Sequence, residues 1–250
     1  MTGMIKNEAN KLIKKKLLIF ILLVYIILAV IAVVIYNKIV AAGKMSYIDS
    51  DVFVKLFSTD FLNKPILPIG SIIIGLALLE IFINDYSSGN MKFQIMKVDN
   101  RTAFILSKLS TQLITYFVLA WIMFLISQIV GVIAFDINLT PGNFLSSFVV
   151  YNLNILPSLA IINIANLLFA LNDKEYLARI SLIVLFIILG IIARATGIGN
   201  LLPVLNYSYL ERFFKGEFEL GFLINQLISL VYLAVLIFVN GKVWARKEYF

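Results

Sequence analysis

Residues 17–36 read LLIFILLVYIILAVIAVVIY, without a single charged side chain. At about 1.5 Å of rise per residue, such a run makes a helix of roughly 30 Å, the thickness of the hydrocarbon core of a bilayer. Lys14, Lys15 and Lys16 precede it, and no small-residue cleavage pattern follows it, so the stretch is expected to be a retained spanning helix, not a signal peptide. Further apolar runs cover 66–84, 112–135, 148–171, 180–193 and 222–240. The fifth is short because Arg194 ends it, and continuing through 195–202 would restore its length. The fold class that follows is an all-α polytopic membrane protein of six spans, one transmembrane domain over residues 1–250.

The rest of the composition agrees. The chain is 61% hydrophobic and 14% charged, whereas soluble domains carry about 45–50% apolar and about 25% charged residues. It has no cysteine and no histidine, which excludes disulfides, thiolate and imidazole metal sites, and catalysis by Cys/His or Ser/His pairs. No GxxxxGK[ST] loop occurs, so the chain has no P-loop of its own for ATP hydrolysis. The net charge of +7 comes from lysines and arginines beside apolar spans, which points to anionic lipid headgroups and not to nucleic acid.

Basic residues also set the orientation, since basic loops are held on the cytoplasmic side. Segments 1–16, 85–111, 172–179 and 241–250 together hold 14 Lys and Arg, against 7 in 37–65, 136–147 and 194–221. Both ends are therefore expected in the cytoplasm, which requires an even number of spans. Residues 1–16 pattern as a basic amphipathic helix with Ile5, Leu12 and Ile13 as apolar contacts, suited to the headgroup plane, or as a charged stop before the first span. The loop 85–102 alternates basic and apolar residues over Met91 to Val98 as a short helix would. In 194–221, Pro203 and the polar-aromatic stretch NYSYLERFFKGEFE suggest a short external helix or a hairpin re-entering the outer leaflet. No internal repeat is visible, which gives no support to an inverted-repeat secondary transporter.

Few residues within the spans carry chemistry. Glu80 is the acidic residue placed inside one, and an intramembrane carboxylate is either functional or close enough to the interface to reach water or a lysine. Asn152, Asn163 and Asn166 fall within about 60° of one another at 100° per residue on a continuous helix. Asn225, Ser229 and Tyr232 follow i, i+4, i+7 spacing in the last span. Either stripe would serve interhelical hydrogen bonding or line a translocation path. Ser71 with Gly75, and Ser127 with Gly131, are small-xxx-small pairs that permit close helix approach.

The stretch FINDYSSGNMKFQIMKVDNRTAFILSKLS resembles the ABC type 2 permease family, the membrane subunits of one class of ATP-driven exporter. The matching positions are Asp85, Gly89, Lys92, Arg101 and Lys108, with Asp85 where glutamate is usual and Asn90 where threonine is usual. NEANKLIKKK is similar to that family's interfacial N-terminal helix, WARKEYF to its basic tail, and Pro203 fits its external re-entrant element. The resemblance implies a non-catalytic chain without a cofactor, its ATP and Mg held by two copies of a cytoplasmic ATPase subunit. That subunit would dock on a coupling helix formed by Met91, Lys92, Phe93, Ile95, Met96 and Lys97. It also implies a second permease subunit, identical or homologous, in a bacterial plasma membrane. The cargo would be amphipathic or apolar, antimicrobial or cytolytic peptides first, drugs or lipids otherwise. A transporter driven by an ion gradient through Glu80, and a non-transporting scaffold, are the rival classes.

Overall fold

The computed structural model describes residues 10, 16–41, 55, 57–58, 68–135, 139–195, 201–203 and 220–247. The expected interfacial helix over 1–16 and the polar-aromatic part of the re-entrant element lie outside the described residues, apart from isolated positions. Among the described residues eight helices follow in order: α1 (Leu17–Ala41), α2 (Ile69–Ser87), α3 (Asn90–Met96), α4 (Arg101–Phe135), α5 (Pro141–Leu153), α6 (Ile155–Asn172), α7 (Glu175–Ala195) and α8 (Leu220–Arg246). With α5 and α6 counted as one broken stretch, six helical segments are long and apolar enough to cross a membrane. There is no strand among the described residues. This is a multi-pass membrane protein.

The centre of the bundle is α2 with α6, each of which buries 12 residues. The other spans wrap around them: α6 packs on α8, α7 and α2, while α4 packs on α2, α8 and α1. Outward faces are apolar, with Leu23, Ile27 and Val30 of α1 and Leu227, Val231 and Val235 of α8 all exposed. In a bilayer those faces meet acyl chains, so burial inside the protein is set by packing and polar contacts, not by hydropathy.

Several element limits differ from the sequence reading, and in three spans the difference changes where the span starts or whether it is continuous. The third span begins at Arg101 instead of 112 because the Asn100 side chain accepts the Ala103 N–H at 3.0 Å, an N-cap that starts the helix well before its apolar part. The fourth breaks at Asn154. Pro157 cannot donate to the Leu153 carbonyl and its ring crowds that position, so Asn154 N–H turns back to the Tyr151 carbonyl at 3.2 Å. The fifth helix gains its length mainly at its N-terminal end, starting at Glu175 and running through Arg194 to Ala195.

The link from α2 to α3 turns on Gly89, whose φ of 71° is left-handed. A Cβ there would meet no atom within 4 Å, so substitution costs only the backbone preference, about 1–2 kcal/mol. Gly89→Asn is accordingly expected to keep the thermal midpoint of the purified protein within a few degrees, while Gly89→Val should lower it clearly. Equal midpoints for the two variants would mean that the turn does not hold this geometry.

Candidate functional site

The ends of six helices meet at one side of the bundle, and the charged residues gather there. Asp85, expected in a loop, lies inside α2 because the helix runs on to Ser87. Its carboxylate accepts from the Lys108 ammonium of α4, and the Lys108 side chain has no exposed surface. Lys108 also sits 5.3 Å from the centre of the Phe104 ring. Glu80, one turn inside Asn84, pairs with Arg179 of α7: Nε and Nη2 reach the same oxygen, Oε1, at 3.0 and 2.8 Å. Arg179 reaches Glu175 at 3.3 Å as well. Two carboxylates thus share one guanidinium.

A third contact closes the same end. Asp173 caps α6 in a left-handed conformation, φ 60°, and its carboxylate accepts from Lys247 beyond α8. The Lys247 ammonium lies 4.7 Å from the Tyr86 ring centre and 5.0 Å from that of Trp244. Trp244 is fully buried and stacks within 5.1 Å of Phe82 and 5.6 Å of Phe169. Aromatic contacts and a cation at a helix C-terminus both stabilise this junction.

Against this end rests α3. Met91 and Ile95, expected on the docking face, are buried instead, because at i, i+4 they share one face of the helix and that face is laid on the bundle. Phe93 and Met96 are left 60% and 61% exposed, flanked by exposed Lys92 and Lys97. Arg101, at the start of α4, is exposed too. The family-like positions therefore divide into a buried pair (Asp85, Lys108), a turn (Gly89) and surface cations (Lys92, Arg101).

The polar stripes do not form continuous lines. The break at Asn154 separates Asn152, which accepts from the Trp121 indole at 2.9 Å, from Asn163 and Asn166. Asn166 is fully buried and donates to Gln112 of α4 at 2.8 Å. Gln112 in turn donates to the Leu78 carbonyl of α2 at 2.8 Å. Asn163 gives its side-chain amide to the Leu159 carbonyl at 2.9 Å, and its backbone carbonyl accepts from the Asn240 side chain of α8 at 2.9 Å. In α8 the buried face runs through Asn225, Ser229, Leu233, Asn240 and Trp244, steps of four or seven residues that leave Tyr232 41% exposed. Asn225 donates to the Leu202 carbonyl at 3.0 Å. Asn166, Gln112, Asn225 and Asn240 tie helices together through these bonds, while Asn163 Oδ1, Asn240 Oδ1 and Ser229 Oγ are buried without a hydrogen-bond partner among the described residues.

Sequence reasoning missed Gln112 and the Asp85–Lys108 and Glu80–Arg179 pairs. The Glu175/Arg179 spacing of i, i+4 was the legible part of the last; partners on different helices leave no spacing to read. Between α1 and α2 lies a groove of about 470 Å³, lined by Phe20, Val24, Ile73 and Leu76 among others and ending at Glu80 and Asn84. No group of His, Cys, Asp and Glu suited to a metal occurs among the described residues. Comparisons with protein-family models, with curated proteins and with solved structures find no match for the chain.

Proposed function

We propose that this chain is the membrane permease subunit of an ABC exporter, carrying amphipathic or apolar cargo and driven by a separate ATPase subunit that binds ATP and Mg. The observation that carries the proposal is α3. A short helix outside the spans, fixed to them by Met91 and Ile95, presents Phe93 and Met96 away from the bundle between two lysines. Apolar side chains left uncovered by the protein's own bundle, next to exposed cations, suit a contact with a partner protein. The face suits an ATPase subunit, two copies of which would act on a pair of permeases, identical or homologous, in a bacterial plasma membrane with both termini in the cytoplasm. Docking there would bear directly on α2 and α4, so ATP binding would shift two packed helices and not a free loop.

Purification of the tagged chain in mild detergent, with mass spectrometry of what accompanies it, tests the proposal. A soluble subunit bearing GxxxxGK[ST] is the expected companion, and repeated recovery of this chain alone would overturn it. Within such a complex, Phe93→Ala is expected to abolish stimulation of the ATPase while membrane insertion and thermal midpoint stay at wild-type values. Met91→Ala, which empties a buried site, should instead lower the midpoint by the equivalent of about 2–5 kcal/mol. Full ATPase stimulation in Phe93→Ala would remove α3 as the coupling element.

Antimicrobial or cytolytic peptides, for export or self-protection, are the cargo class that best suits a groove apolar along its length and acidic at one end; drugs and lipids share that chemistry. A gradient-driven transporter has one observation in its favour, the place of Glu80 at the end of that groove. It requires flux without ATP and loss of coupling in Glu80→Gln.

A further inference from the structure

The groove between α1 and α2 is open to the side, where a bilayer would be, and its walls are hydrocarbon until Glu80 and Asn84. From Ile73 to Asn84 the α2 wall rises roughly 16 Å at 1.5 Å per residue, the scale of one medium-length alkyl chain. The polar end has a defined chemistry. Both guanidinium contacts from Arg179 fall on Glu80 Oε1, and Oε2 carries no hydrogen bond among the described residues. A carboxylate oxygen accepts two hydrogen bonds, so Oε2 retains its capacity. One helical turn on, the Asn84 side chain is likewise without a hydrogen bond among the described residues and can offer its amide oxygen. The ion cluster behind them has two carboxylates, Glu80 and Glu175, for the single cation of Arg179, a formal charge of −1 at the groove end.

We infer that this groove binds a single-chain amphiphile with an ammonium headgroup, its alkyl chain along Phe20, Val24, Ile73 and Leu76 and its N–H groups donating to Glu80 and Asn84. An anionic headgroup would face uncompensated carboxylate charge, and a hydroxyl headgroup would forgo the charge-assisted bond. A cationic amphiphile satisfies both ends of the groove. The inference rests on the export reading only in naming the occupant as cargo. Binding needs no ATPase, so the failure of either idea leaves the other standing.

The experiment uses the full chain in mild detergent, with dodecylamine, dodecanol and dodecanoate as probes and intact-protein mass spectrometry to titrate each bound species. One dodecylammonium per chain is expected, bound about tenfold tighter than dodecanol, as a hydrogen bond to a charged group implies. Dodecanoate should bind most weakly. Glu80→Gln should bring the amine and the alcohol to equal affinity, and Leu76→Trp, which fills the groove, should remove both. Size-exclusion elution at the wild-type volume establishes that the variants are folded. Should Glu80→Gln fail to fold, the preference of the wild-type chain for the amine over the alcohol still decides. Equal binding of amine and alcohol by the wild-type chain, or a preference that survives in folded Glu80→Gln, overturns the assignment.

Discussion

Asp85→Ala is expected to destabilise the protein by about 3–5 kcal/mol, the cost of leaving one member of a buried ion pair without the other. The Lys108 ammonium has no exposed surface and the Asp85 side chain only 7%. Without the carboxylate, the Lys108 ammonium beside Phe104 loses its counter-charge while it has no exposed surface, which is unfavourable. Asp85→Asn should cost less than alanine, since the amide oxygen still accepts a hydrogen bond. Removing both charges is the informative variant. Asp85→Leu with Lys108→Met replaces the pair by apolar groups of similar size, a change that is often neutral or stabilising for buried pairs. The thermal midpoint of the purified double variant is therefore expected near wild type while each single variant falls well below it. A wild-type midpoint for Asp85→Ala would mean that the pair does not form in the folded protein. A double variant that folds but no longer stimulates an ATPase would assign the pair to coupling between α2 and α4 instead of to stability.

That pair also shows where reading the sequence ends. The six spans were legible because apolar runs of about 20 residues have one physical solution in lipid, a helix that satisfies its own backbone. The short helix after Gly89 was legible from the alternation of Met91, Phe93, Ile95 and Met96 with lysines. What was not legible is which of those four side chains turns inward, because both faces of a seven-residue helix carry apolar residues and only the neighbouring spans choose between them. Asp85 was misplaced for a related reason: hydropathy falls at Asn84, but the hydrogen-bonded helix continues as long as no residue breaks it. The amide stripe failed at Asn154 because a wheel assumes a straight helix, and Pro157 bends this one. For the inward face of α3 and for the partners of Asp85 and Glu80 the missing information was tertiary, a contact between helices that no local spacing encodes. One of the small-xxx-small pairs fared differently, since Gly75 does lie in a close contact with α6 and α7 and Ser71 accepts from Tyr116 of α4 at 3.3 Å.

Gly75→Leu is expected to be as damaging as the broken ion pair, through sterics instead of charge. A Cβ at Gly75 would lie 2.9 Å from Leu182 Cδ2 of α7 and 3.1 Å from Ile162 Cγ1 of α6. Both neighbours are fully buried, so the Leu182 methyl and the Ile162 methylene can yield a few tenths of an ångström to a Cβ but not the room a whole leucine side chain needs. Overpacking of this kind costs roughly 1–3 kcal/mol and more for a branched side chain in a tight site. Alanine sets two effects against each other, a helix-propensity gain of about 1 kcal/mol over glycine and the same close contact, so it should change little. The consequence reaches beyond stability because Gly75 and Glu80 share α2, while Leu182 and Arg179 share α7. The close approach at Gly75 is what allows Glu80 and Arg179 to meet at hydrogen-bond distance. Forcing the helices apart should separate that pair, change the end of the groove and weaken dodecylammonium binding along with the thermal midpoint. Adding Leu182→Ala to Gly75→Leu removes the obstructing methyls and is expected to recover part of both, a coupling that independent sites would not show. Recovery of neither would place the damage elsewhere and leave the α2–α7 contact without a part in holding Glu80.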